Sequence, residues 1–166
     1  MKWLIRIKKF IQGLFRRKPI LDVDYVDLAP AWAKIAYKEI GVKEVSGRGD
    51  NPRVVEYHKS TNMGESADSV PWCSSFVNWC FTQAGIKGTH KASARSWLKW
   101  GIKLDKPLPG CVVVFWRGSK ESWQGHVAFY VGENKHYISV LGGNQHDEVC
   151  LQNYHKDKVL GYRWPK

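Results

Sequence analysis

The first eighteen residues contain no acidic side chain, and no run in the 166-residue chain reaches the roughly 18–20 apolar residues that a membrane-crossing helix needs. A membrane-crossing helix is therefore not expected. The four cysteines (Cys73, Cys80, Cys111 and Cys150) form no CxxC pair and no zinc-ribbon spacing, so neither a dense disulfide framework nor a zinc finger is expected. An HExxH helix is missing, and so is a glycine-rich phosphate-binding loop with its lysine. His136, His146, His155 and Asp147 match no tight ligand spacing, so no metal and no cofactor is expected.

What is present is unevenly distributed. Lys2, Arg6, Lys8, Lys9, Arg16, Arg17 and Lys18 supply seven of the net +11 charges, which leaves the rest of the chain only mildly basic. Partners of this basic tail should be polyanions, namely anionic lipid, nucleic acid or wall polymers, with no sequence-specific nucleic-acid recognition expected. Trp3, Leu4, Ile7, Phe10, Ile11, Leu14 and Phe15 recur at helical spacing, which predicts a basic amphipathic helix over residues 1–18. Such a helix can lie in an anionic membrane interface through Trp3, Ile7, Phe10 and Leu14, or dock its stripe on the following domain. Charged residues interrupt any signal-peptide core and no small-residue cleavage site follows, so synthesis without a conventional secretion signal is expected.

Residues 19–29 read as a linker, with Asp22, Asp24 and Asp27 reversing the charge, and residues 30–166 as one domain. Helical periodicity runs over residues 31–40, 74–84 and 92–100, each stopped by a glycine, and residues 43–71 read as loop with one short helix. The second half changes period. Residues 111–116, 126–131, 136–141, 148–152 and 159–164 are short Val-, Ile-, Tyr- and Phe-rich runs, with turn residues at Gly118, Gly132-Glu133-Asn134, Gly142-Gly143-Asn144 and Lys156-Asp157-Lys158. Helices first and an antiparallel meander second predict an α+β domain, with helices packed on one side of a five- to six-stranded sheet.

Cys73 differs from the other cysteines because it opens a predicted helix just after Pro71. Unpaired N–H groups and the positive end of the helix dipole favour a thiolate there, and the N–H of Ser74 can face an oxyanion. A buried structural thiol is the competing reading. His126 heads an apolar run after Gly125, where it can take the thiol proton and later return it to a leaving amine. The run 136–141 should pair antiparallel with 126–131, returning Asn144 and Gln145 toward His126. Asn144 is the expected orienter of the imidazole, with Gln145 next; Asn144 also suits a glycine-rich turn for its own sake. Trp72, Trp116 and Trp123 are candidate groove residues, with core packing as the alternative.

The segments Pro71-Trp72-Cys73-Ser74-Ser75-Phe76-Val77-Asn78-Trp79, Pro109-Gly110-Cys111-Val112-Val113-Val114-Phe115 and Gly125-His126-Val127-Ala128-Phe129-Tyr130 occur in that order. They resemble the signature blocks of the CHAP and NlpC-type papain-like cell-wall hydrolases, and Leu141-Gly142-Gly143-Asn144-Gln145 resembles the block holding their third catalytic residue. The resemblance implies cleavage of an amide in bacterial peptidoglycan, either an N-acetylmuramoyl-L-alanine bond or one within the stem peptide. It implies action at the cell wall or periplasm, as in phage endolysins, autolysins and interbacterial toxins, with Cys73 as nucleophile, His126 as base and Asn144 as orienter. Two departures stand out: Cys111 replaces a frequent Asp, and Gly142 occupies the place of a frequent Glu. Two other functions stay open. One is a non-catalytic wall- or membrane-binding module; the other is a cysteine hydrolase of a different amide.

Overall fold

The computed structural model describes residues 29–166. The expectations for residues 1–18 and most of the linker lie outside the described residues. Three helices come first: α1 (Ala31–Lys38), α2 (Pro52–His58) and α3 (Cys73–Gln83). A 3₁₀ helix (Ala94–Lys99) and six strands follow: β1 (Ile102–Leu104), β2 (Val112–Trp116), β3 (Gly125–Glu133), β4 (Tyr137–Gln145), β5 (Glu148–His155) and β6 (Val159–Trp164). The strands form one antiparallel sheet in the order β1-β6-β2-β3-β4-β5. This is the expected α+β architecture, with a six-stranded sheet.

Alternation of side chains along the strands builds two apolar layers. Val112, Val114, Val127, Phe129, Val131 and Leu141 pack with the helices around Trp32, Phe76, Phe81 and Trp97. Cys111, Val113, Phe115, Ala128, Tyr130, Ile138 and Val140 form a second, smaller cluster on the opposite face. The pairings Phe129↔Leu141 and Tyr130↔Val140 confirm the expected antiparallel partnership of β3 and β4.

Two sequence expectations need correction, one in the sheet and one in a helix. Gly142, Gly143 and Asn144 do not separate strands; they continue β4, with a register shift between Gly142 and Gln145. The chain reverses at His146 and Asp147 instead, both with left-handed φ (56° and 62°) in a two-residue turn that suits the twist of a hairpin. The expected third α-helix is a 3₁₀ helix, Ala94–Lys99.

Segment 41–45 covers the first residues of the outer edge of β5. Gly41 N–H donates to Val149 O (2.9 Å), Val149 N–H to Val42 O (2.7 Å) and Glu44 N–H to Asp147 O (2.9 Å). A covered edge cannot recruit a foreign strand. Asp68 then ties down the long loop by accepting from Val45 N–H and Asn51 N–H, both at 2.8 Å. These bonds hold the segment leading into α3, and therefore the position of Cys73.

Candidate active site

Cys73 is the first residue of α3, and Trp72 at the N-cap offers no side-chain cap. The first-turn N–H groups are therefore left without the usual competing acceptor. The thiol lies against the N–H groups of Cys73 and Ser74 in its own helix and against Val127 N–H in β3. Burial raises its pKa above the ordinary thiol value; the Arg117 cation and these N–H groups act in the opposite direction. At neutral pH the resting group is thus a thiol, held in surroundings shaped for negative charge.

His126 lies in β3 opposite Phe115 of β2, and its ring stacks on Tyr154 with centroids 5.1 Å apart. The residue is wholly buried. Nε2 stands 3.0 Å from Gln145 Oε1, while Gln145 Nε2 donates to Cys150 O at 2.6 Å. The second bond fixes which end of the amide faces which way, since only the NH₂ end can serve a carbonyl. Gln145 therefore presents an acceptor, and His126 must carry its proton on Nε2.

The other ring nitrogen, Nδ1, is 3.3 Å from Arg117 Nη2. A guanidinium has donors and no acceptor, so Nδ1 is unprotonated and uses its lone pair on Arg117. Both ends of the imidazole thus specify one tautomer. Burial first, and the Arg117 cation second, push the His126 pKa down to about 3, with Gln145 pulling the other way. No hydrogen bond joins Cys73 to His126 among the described residues; the two share Arg117 as a neighbour.

The other expected residues fall as follows. Asn144 is half-buried with φ 53° and sits in the irregular stretch of β4, and the contact to His126 comes from Gln145 instead. The register shift re-aims the strand, which moves the amide function one residue along. Gly142 matters here: a Cβ at that position would stand 3.0 Å from Gln145 Oε1 and 2.8 Å from the Ala128 Cβ. The place where related sequences often carry Glu is thus occupied in space by the Gln145 amide.

The Ser74 hydroxyl is committed inward, donating to Lys91 O (2.6 Å) and accepting from Trp97 Nε1 (2.9 Å), so only its N–H faces the thiol. Trp72 is corrected from groove to core: it is wholly buried, and its Nε1 donates to Glu44 at 2.7 Å. Trp116 is half-buried and donates to Asp157 O at 3.0 Å. Trp123 is 82% exposed on the loop between β2 and β3. Arg95 clamps this loop by donating to Gln124 O (2.8 Å) and Lys120 O (3.0 Å).

Arg117 was missed by motif reading because arginine matches no catalytic pattern at that position. Strand parity carries the signal: two residues beyond Phe115, Arg117 falls on the face that Phe115 shares with His126.

Comparison with known proteins bears on the family and the fold. The sequence profile of the CHAP domain matches residues 65–144. No curated protein matches the chain in sequence. Among solved structures, an NLP/P60-family protein described as similar to a lipoprotein, from Staphylococcus aureus, is 19% identical with a TM-score of 0.50, over 88% of this chain and 43% of that one. The chain therefore spans less than half the length of that protein. RipD of Mycobacterium tuberculosis, described as a non-catalytic NlpC/p60 domain protein adapted to peptidoglycan binding, is 18% identical with a TM-score of 0.47, over 83% of this chain and 94% of that one. At these identities the likeness concerns the fold alone.

Proposed function

Residues 65–144 are a CHAP domain with an NlpC/P60-like, papain-like fold, and from that premise we propose that the chain hydrolyses an amide bond of bacterial peptidoglycan with Cys73 as nucleophile. One observation carries this reading: Cys73 opens α3 against the backbone N–H next to His126, whose tautomer leaves Nδ1 as the proton acceptor. Gln145 replaces Asn144 as the orienter in this proposal, because it makes the hydrogen bond to Nε2.

The chemistry balances with these groups alone. The thiol proton passes from Sγ to His126 Nδ1, and Sγ attacks the amide carbon. The N–H groups of Cys73 and Ser74 receive the resulting oxyanion. Collapse expels the amine, which takes the proton back from the imidazolium, and leaves a thioester. Water, deprotonated by the same imidazole, then releases the carboxylate and restores the thiol.

Either the bond between muramic acid and L-alanine or a bond within the stem peptide fits this scheme. A role in bacterial lysis, with residues 1–18 as an anionic membrane contact ahead of a linker at 19–29 and a hydrolase domain at 30–166, completes the proposal. The test is clearing of peptidoglycan in a gel by the whole chain, with muropeptide mass spectrometry of the products. Clearing should vanish in Cys73→Ala and leave a new amine end in the wild-type digest. Clearing that survives Cys73→Ala and stops with a chelator would sink the reading. Killing that survives Cys73→Ala and disappears on deletion of residues 1–18 would favour the non-catalytic module.

A further inference from the structure

Arg117 stands in an unusual place for a cation. It is exposed at the end of β2, in a turn closed by Arg117 N–H to Gln124 O (3.4 Å), yet its Nη2 reaches the buried His126. Its charge also acts on the nearby Tyr154 hydroxyl, against the burial that raises the pKa of that group. Among the described residues, no carboxylate pairs with it. The charged and titratable groups around the imidazole are thus Arg117 from the end of β2 and Tyr154 from β5, with neutral Gln145 behind Nε2, while Cys73 from α3 has Arg117 as a neighbour in common with His126.

This arrangement blocks the proton transfer that the proposed hydrolysis needs. A guanidinium stays protonated and only donates, so it engages the Nδ1 lone pair that the thiol proton must reach. An imidazolium formed there would also face a second cation at hydrogen-bond distance, on a ring that is itself wholly buried. The block is reversible, because the Arg117 side chain is held at His126 by one 3.3 Å hydrogen bond and the residue is open to solvent. A carboxylate outside the site offers its fork a better, bidentate partner.

The geometry points to Arg117 as a displaceable latch on His126, which the carboxylate of an acidic peptide draws away from Nδ1 so that Cys73 can pass its proton. Arg117 is then a positioning residue and a specificity element: it selects substrates carrying a free carboxylate near the scissile amide, and it keeps the thiol quiet without them. The inference rests on Cys73 and His126 being the reacting pair.

Alkylation of Cys73 by neutral iodoacetamide, followed by peptide mass spectrometry across pH 5–9, reads the latch without turnover. In the wild type, alkylation below pH 7 should be slow. It should rise about tenfold or more in Arg117→Ala, as the thiolate–imidazolium pair forms, the factor expected from one pKa unit. Arg117→Lys keeps a cation without the planar fork and should fall between the two. Adding N-acetyl-alanyl-glutamate should accelerate the wild type and leave Arg117→Ala unchanged, and the doubly amidated dipeptide should do nothing. Slower alkylation in Arg117→Ala at every pH would overturn the latch, since the guanidinium would then simply support the thiolate. Equal effects of the acidic and amidated dipeptides would overturn its carboxylate specificity. Peptidoglycan clearing reports separately: loss of the latch with clearing intact leaves the hydrolase standing, and a working latch without clearing removes only the hydrolase.

Discussion

Gln145 Oε1 stands 3.0 Å from His126 Nε2, with the amide orientation locked by its 2.6 Å bond to Cys150 O. This one contact sets the tautomer of the base. Gln145→Ala should therefore lower hydrolysis by about tenfold to a hundredfold, a part of what general acid–base catalysis contributes. Asn144→Ala should behave differently. Its φ of 53° is left-handed, so alanine there costs about 1 kcal/mol of stability, which Asn144→Gly should not. Rate assays beside thermal melts separate the two roles; a rate loss in Asn144→Gly equal to that of Gln145→Ala would return the orienting role to Asn144.

Gly142 makes room for that amide. A methyl group at this position meets Ala128 Cβ at 2.8 Å and Gln145 Oε1 at 3.0 Å. The amide is the softer of the two neighbours, so Gly142→Ala should displace it from His126. We expect a rate loss approaching that of Gln145→Ala, together with a strain cost of about 1–3 kcal/mol. Combining the two changes should add little further rate loss, because they act on one contact. Multiplicative losses in the double variant would contradict this.

The tryptophans separate by burial. Trp72 is wholly enclosed and bonded to Glu44, so Trp72→Ala should cost about 3–5 kcal/mol whatever its effect on substrate. Trp123 is 82% exposed, and Trp123→Ala should leave stability within about 0.5 kcal/mol. If the loop between β2 and β3 meets glycan, the Trp123 variant should raise KM with kcat unchanged. An unaltered KM on intact peptidoglycan would remove Trp123 from the substrate surface.

These residues also mark how far sequence reasoning reaches. The runs through Val112–Trp116 and Gly125–Glu133 were legible because β-branched and aromatic residues cluster there and both faces of the sheet are buried. Ile102–Leu104 was not; three residues, two of them exposed, carry no period, and their strand character comes from pairing with β6. Gly142-Gly143-Asn144 has the composition of a turn, yet glycine serves here for close packing: a Cβ on Gly143 would stand 2.4 Å from Trp72. The order of Cys73 and His126 along the chain was readable from their local settings. Their common neighbour Arg117 was hidden, since its role depends on which strand lies beside which.

The buried imidazole makes a prediction about stability and pH. In the unfolded chain His126 should titrate near pH 6.5, and in the folded protein its pKa is pushed down to about 3, mainly by burial. The unfolded state thus binds the extra proton between these values, so stability is full above about pH 6.5 and falls as pH drops toward 3. The pKa gap sets a ceiling of about 4–5 kcal/mol for this one group. His58 adds in the same direction, since burial also lowers its pKa. Asp68 contributes lower down: burial pushes its pKa up, but the Val45 and Asn51 N–H groups outweigh this with other hydrogen bonds and hold it below the usual carboxylate range, so its share is lost only below about pH 4. Glu44 works in the opposite direction near the low end of this range, since burial raises its carboxyl pKa, so the His126 share is read from thermal melts between pH 7.5 and 4.5 as the difference between wild type and a His126 variant. The midpoint should fall across that window in the wild type and fall less steeply in His126→Gln, which keeps a neutral side chain. An NMR titration of the folded wild type provides the check independent of any variant, and the His126 ring should stay unprotonated down to pH 5. Protonation of that ring near pH 6.5 with the fold intact would show that His126 is neither dry nor held by Arg117, and the predicted slope would lose its cause.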